Sequence, residues 1–86
     1  MSSAYHVSLI EYTLTIEVDL GLEDRETAAL RRAQQEVLDA EIDILHTENI
    51  GYAIAQEDIY IRDWYVDLNS EDIVVELIAA RRRIEQ

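Results

Sequence analysis

Residues 70–84 read SEDIVVELIAARRRI, and how that stretch is taken decides the fold. It opens on Ser70, whose hydroxyl is suited to cap a helix. Glu71 and Asp72 follow where a helix start is electropositive, and Arg81, Arg82 and Arg83 close it where a helix end is electronegative. Wound as a helix, Ile73, Leu77, Ala80 and Ile84 share one stripe, while Val74, Val75 and Ile78 spread apolar surface beyond it. The spacing predicts a final helix covered on two sides, by a sheet and by a second copy of the chain, with Val74, Val75 and Ile78 as the oligomer contact.

Upstream, Ile10 to Leu20 alternates strictly: Ile10, Tyr12, Leu14, Ile16, Val18 and Leu20 against Glu11, Thr13, Thr15, Glu17 and Asp19. That is a long strand with one dry and one wet face, ended by Gly21. Tyr5, Val7 and Leu9 alternate in the opposite phase, which predicts a bulge near Leu9. From Asp24, an N-cap candidate, helical periodicity runs to about Asn49, where Asn-Ile-Gly supplies a stop. Ala33, Val37, Ala40 and Ile44 form one apolar stripe and Leu38, Ile42 and Leu45 a second. Between them runs a polar seam of Gln34, Glu41 and Glu48. It reads first as the lining of a solvent groove, and otherwise as a place where Glu41 is paired with an Arg of another element or of another subunit.

Residues 56–72, QEDIYIRDWYVDLNSED, mix Glu57, Asp58, Asp63, Asp67, Glu71 and Asp72 with Tyr60, Trp64, Tyr65 and the single base Arg62. Dense Tyr, Ile, Trp and Val over 52–68 favours strands, with Gln56-Glu57-Asp58 turning a hairpin between 52–55 and 59–68. The change of phase between Ile59/Ile61 and Trp64/Val66 places a bulge near Arg62 or Asp63; a helical turn within 54–62 is the alternative. The expected fold is thus α+β, in the order β-α-β-β-α, a mostly antiparallel single-layer sheet packed by two helices in one domain spanning 1–86.

With 86 residues, two Gly, no Pro and no Cys, the chain has room for one regular core and no disulfide or Cys-bound zinc to reinforce it, which favours homo-oligomerisation. It has no apolar run long enough to span a bilayer and no signal-peptide pattern, so a cytoplasmic location is expected.

Charge is the dominant property. Nineteen Asp and Glu stand against seven Arg and no Lys, for a net charge of −12. Such a field repels nucleic acid and anionic membranes and attracts basic surfaces. Nucleophiles are scarce, His6 and His46 lie in no ligand spacing, and calcium-loop and phosphate-loop patterns are missing. The chain is therefore expected to be non-enzymatic, with no cofactor and no metal.

Two functions fit. One is an inhibitor that presents carboxylates where phosphates would lie and so blocks a basic nucleic-acid-binding protein. Acids two apart on a strand stand roughly 6.7 Å apart, and those four apart on a helix about 6 Å, close to the interval between phosphates. Glu17 with Asp19, the helix row Glu36, Asp39 and Asp43, and the 57–72 group supply such rows, with Trp64 and Tyr65 as aromatic anchors. In size, acidity and absence of catalytic groups the chain resembles small phage or mobile-element inhibitors of restriction, repair or CRISPR enzymes, a resemblance of composition that involves no motif. The other is a structural or adaptor subunit that acts through its own assembly.

Overall fold

The computed structural model describes residues 7–19, 21, 23–48 and 51–84. Strand β1 (Val7–Ile16) is followed by helix α1 (Arg25–Glu48), a short strand β2 (Tyr52–Ala53), one 3₁₀ turn (Gln56–Asp58), strand β3 (Ile59–Val66) and strand β4 (Ile73–Arg83). The class is α+β, an antiparallel sheet of four strands with one α-helix.

The segment expected to be the final helix is β4, the central strand. β1 pairs along one side of it, from Val7 opposite Arg82 to Ile16 opposite Ile73, and β3 and β2 pair along the other. The reason lies in the residues that made the stretch look ambiguous. Ile73, Val74 and Val75 are consecutive β-branched residues, which lose side-chain freedom in a helix and pack well on a pleated surface. Because β1 and β3 flank β4 on both sides, their side chains also shield its second face, where Val74 and Ala80 are buried, and the apolar run is therefore nearly continuous. Ser70 Oγ accepts the Asp72 N–H at 3.3 Å, the local bond a helix cap also makes, but here it belongs to the β3–β4 turn.

Strict alternation sorts β4 between two faces. Ile73, Val75, Leu77 and Ala79 point toward α1 and join Ile16, Ile59, Ala29, Ala33 and Val37 in the core. Val74, Glu76, Ile78 and Ala80 point to the other face. No described element lies on that second face.

Other expectations shift in detail. β1 keeps one unbroken register with β4, so there is no bulge near Leu9; the change of phase instead puts Val7 and Leu9 on the face away from α1. β1 ends at Ile16, although Val18 still packs against the core. The expected bulge is found between Ile61 and Asp63. β2 and β3 do not pair with each other as a hairpin; both pair with β4, separated by the 3₁₀ turn. Asp24 precedes α1 with φ 55° and its carbonyl accepts the Ala28 N–H at 3.1 Å. The Asn49 and Ile50 part of the expected helix stop lies outside the described residues.

The buried positions of α1 recur every fourth residue: Ala29, Ala33, Val37 and Glu41. Glu41 therefore continues the core stripe and is fully buried. Arg81 Nε donates to its Oε1 at 2.5 Å and Arg81 Nη2 to its Oε2 at 2.8 Å, while Tyr12 donates its hydroxyl to Oε2. Tyr52 donates to the Glu41 carbonyl at 2.8 Å, and the Arg81 guanidinium lies 4.9 Å from the Tyr52 ring centre. The groove reading of the seam is thus replaced by its alternative, a paired buried carboxylate. Of its neighbours, Gln34 donates to the Ile59 carbonyl at 3.2 Å and Glu48 is exposed.

Candidate functional site

Burial tends to raise the Glu41 pKa, but hydrogen bonds from Arg81 and Tyr12 and the guanidinium charge outweigh it and hold the carboxyl below its ordinary range. Burial, reinforced by Glu41, pushes the Tyr12 hydroxyl up to about 12. Both carboxylate oxygens and both tyrosine hydroxyls of this cluster are engaged within it. It is a lock between helix and sheet.

The surface acids are different. Among the described residues only Glu11, Glu41 and Asp58 enter ion pairs, with Arg62, Arg81 and Arg82. Two further arginines are engaged by backbone: Arg25 donates to the Glu71 carbonyl at 2.8 Å and Arg32 to the Glu17 carbonyl at 3.1 Å. Three of the seven arginines are thus paired with carboxylates, and Arg25 and Arg32 keep their charge beside Glu71 and Glu17.

The remaining acids concentrate at one end. Ile16 of β1, Ile73 of β4 and Val66 of β3 stand side by side at that edge of the sheet. The chain beyond them brings Glu17 and Asp19 from one connection, Asp67, Glu71 and Asp72 from the β3–β4 turn, and Glu23, Asp24 and Glu26 from the start of α1. A shallow cavity of about 230 Å³ opens here, lined by Asp24, Arg25, Glu26, Trp64, Val66 and Ile73. Leu68 projects from the turn, 93% exposed.

The expected contact residues are divided among several places. Trp64 lies on the α1 side of β3, in the cavity wall, whereas Asp63 and Tyr65 lie on the opposite face, beside Glu76 and Val74 of β4. Asp63 Oδ1 accepts the Trp64 N–H at 2.8 Å. Asp58 is buried, accepting from the Ala55 N–H at 2.9 Å and from Arg82 at 3.0 Å, so it shapes the 3₁₀ turn and is withdrawn from any contact surface. Asp67 Oδ1 accepts the Asn69 N–H at 2.8 Å and organises the β3–β4 turn. Glu57, Glu71 and the helix row Glu36, Asp39 and Asp43 are exposed, and Asp72 is half-buried. Of the expected oligomer contact, Val75 is fully buried beneath the helix, and on the face away from α1 Val74 is also buried and Ile78 half-buried among the side chains of the flanking strands. Sequence reasoning missed the acids at 23–26 as companions of the 67–72 turn, because only the pairing of β1, β3 and β4 brings them to one end.

Among the described residues no group of three or more His, Asp or Glu is arranged to hold a metal ion, and no helix is long and apolar enough to cross a membrane. No protein-family model, curated protein or solved structure matches the chain.

Proposed function

We propose that the chain is a non-enzymatic binding module for a basic protein, an inhibitor of the anti-restriction or anti-CRISPR type whose carboxylates occupy the phosphate sites of a DNA- or RNA-binding protein. One observation carries this reading: acids from three separated segments meet at one end of the molecule, eight carboxylates (Glu17, Asp19, Glu23, Asp24, Glu26, Asp67, Glu71 and Asp72) beside two arginines, Arg25 and Arg32, while Arg62, Arg81 and Arg82 are paired with other carboxylates. A net anionic excess of that kind raises the rate of encounter with a cationic surface and orients it. The exposed row of Glu36, Asp39 and Asp43 extends the same field along α1. Leu68 and the Trp64 cavity supply apolar contact within it.

The test is competition. Affinity capture from the native host, washed at graded salt, should retain a nucleic-acid-binding protein, and the purified chain should displace nucleic acid from it. Neutralising Glu23, Asp24, Glu26, Glu71 and Asp72 together as Gln or Asn should weaken the displacement by about tenfold or more. Full displacement by that variant would sink the reading. The alternative, an adaptor that works by homo-oligomerisation in the cytoplasm, is favoured by the exposed Leu9, Tyr60 and Tyr65 on the sheet face away from α1. Sedimentation showing a stable oligomer, together with full cellular activity of the neutralised variant, would select it.

A further inference from the structure

Strand β1 is an outer strand of the sheet and pairs only with β4. Along its ten residues, Val7–Ile16, every second residue turns its N–H and C=O away from β4, and among the described residues no backbone group bonds to them. Such an edge is a template for another strand, and proteins ordinarily guard it with a bulge, a proline or a charge.

The two edges of this sheet differ in that respect. The one opposite β1 is shared by β2 and β3, broken by the 3₁₀ turn and bulged between Ile61 and Asp63, beside the charges of Arg62 and Asp63. β1 has none of these devices. Its register with β4 is unbroken, it contains no Pro or Lys, and its single charge, Glu11, is drawn across the sheet to Arg62 at 2.7 Å. Val7 and Leu9 are exposed near its start.

Charge decides the occupant. Glu11 is the one acid within residues 1–16, so an extended basic segment would find no row of free carboxylates along this edge. A second copy meets a strand of its own length that carries almost no like charge. The direction of pairing follows from the two ends of the sheet. Eight carboxylates and two arginines gather beyond Ile16, whereas Arg81, Arg82 and Arg83 stand at the Val7 end with Glu41, Glu48, Glu57 and Asp58. Antiparallel pairing sets each strongly anionic end beside the less anionic end of the other copy; parallel pairing would set the two anionic ends together.

We propose that the chain forms a two-fold dimer in which β1 pairs antiparallel with β1 of a second copy, joining two four-stranded sheets into one. The acidic ends then lie at opposite ends of the joined sheet, each open to its own contact. This surface is separate from the acidic end, and the inference holds whatever that end binds.

Sedimentation equilibrium of the full chain in about 0.15 M salt should show a monomer–dimer equilibrium. Hydrogen exchange locates the contact: above the midpoint of that equilibrium the outward amides of β1 should slow by about tenfold or more relative to the dilute monomer, while the outward amides of β3 keep their rates. Leu9→Glu restores a charge guard to the edge and should raise the dissociation constant by about tenfold or more. Gln35→Glu adds the same charge on the exposed side of α1 and should leave it unchanged. Protection of the β4 amides in the dilute monomer reports that each variant is folded, and the exchange pattern of the parent chain tests the proposal without any variant. A monomer at every concentration, a dimer whose β1 amides exchange at the monomer rate, or equal dissociation constants for the two variants would each overturn it.

Discussion

Glu41 shows how one buried charge becomes tolerable when geometry surrounds it. Its two oxygens accept from Arg81 and Tyr12, so the cost of removing it from water is offset by charge-assisted hydrogen bonds. Glu41→Ala leaves the guanidinium of Arg81 without its partner and should cost about 3–5 kcal/mol in urea unfolding, whereas Glu41→Met combined with Arg81→Leu should recover most of that loss. The pH dependence has two arms. Because the Glu41 carboxyl is held below its ordinary 4.5, its contribution is present above that value and is lost as the pH falls below it. Because Tyr12 is raised from 10.0 to about 12, its contribution is complete below pH 10 and is lost as the pH rises toward 12. Tyr12→Phe should shrink the alkaline arm and leave the part due to Tyr52, whose hydroxyl burial and Glu41 also raise, as followed by urea midpoints at pH 9 and pH 12. Glu71, at φ 64°, occupies left-handed backbone that a side chain disfavours. Glu71→Gly should raise stability by about 0.5–1 kcal/mol in thermal melts.

At the scale of elements, β4 holds the fold together by pairing with every other strand and supplying half of the layer under α1. If the 70–84 segment were a helix, replacing Val75 by Ala, the better helix former, would be neutral or favourable. In a central strand the same change removes buried methyl groups from a fully enclosed position. Val75→Ala should therefore cost about 2 kcal/mol in urea unfolding. The 3₁₀ turn depends on Asp58, which ties the Ala55 N–H to Arg82 at the end of β4. The turn also divides the edge of the sheet opposite β1 into β2 and β3 rather than one continuous strand.

The whole molecule combines a rigid, internally satisfied layer with a surface of nearly one sign. At a net charge of −12, self-repulsion opposes compactness at low ionic strength. Raising the salt from about 0.01 to 0.3 M shortens the screening length from roughly 30 Å to below 8 Å, and the thermal midpoint should rise with it in scanning calorimetry. The same salt should weaken capture of any basic partner. Opposite salt effects on stability and on binding are the signature of charge kept for an external contact rather than for the fold.

Much of this was legible in the chain. Alternation along 10–16 specified β1, helical spacing placed Ala33 and Val37 on the buried face of α1 although Ala29 and Glu41 complete it in place of the half-buried Ala40 and Ile44, and the phase change near Arg62 marked the bulge. Those features are local: each follows from how side chains repeat along one element. What only the tertiary structure decided was the state of 70–84, the pairing of Glu41 with Arg81, and the meeting of acids 17–26 with 67–72 at one end. In each case the deciding energy comes from residues far apart in sequence. β4 is a strand because β1, β3 and α1 bury it on both edges and beneath the helix, and no window of its own residues contains that information.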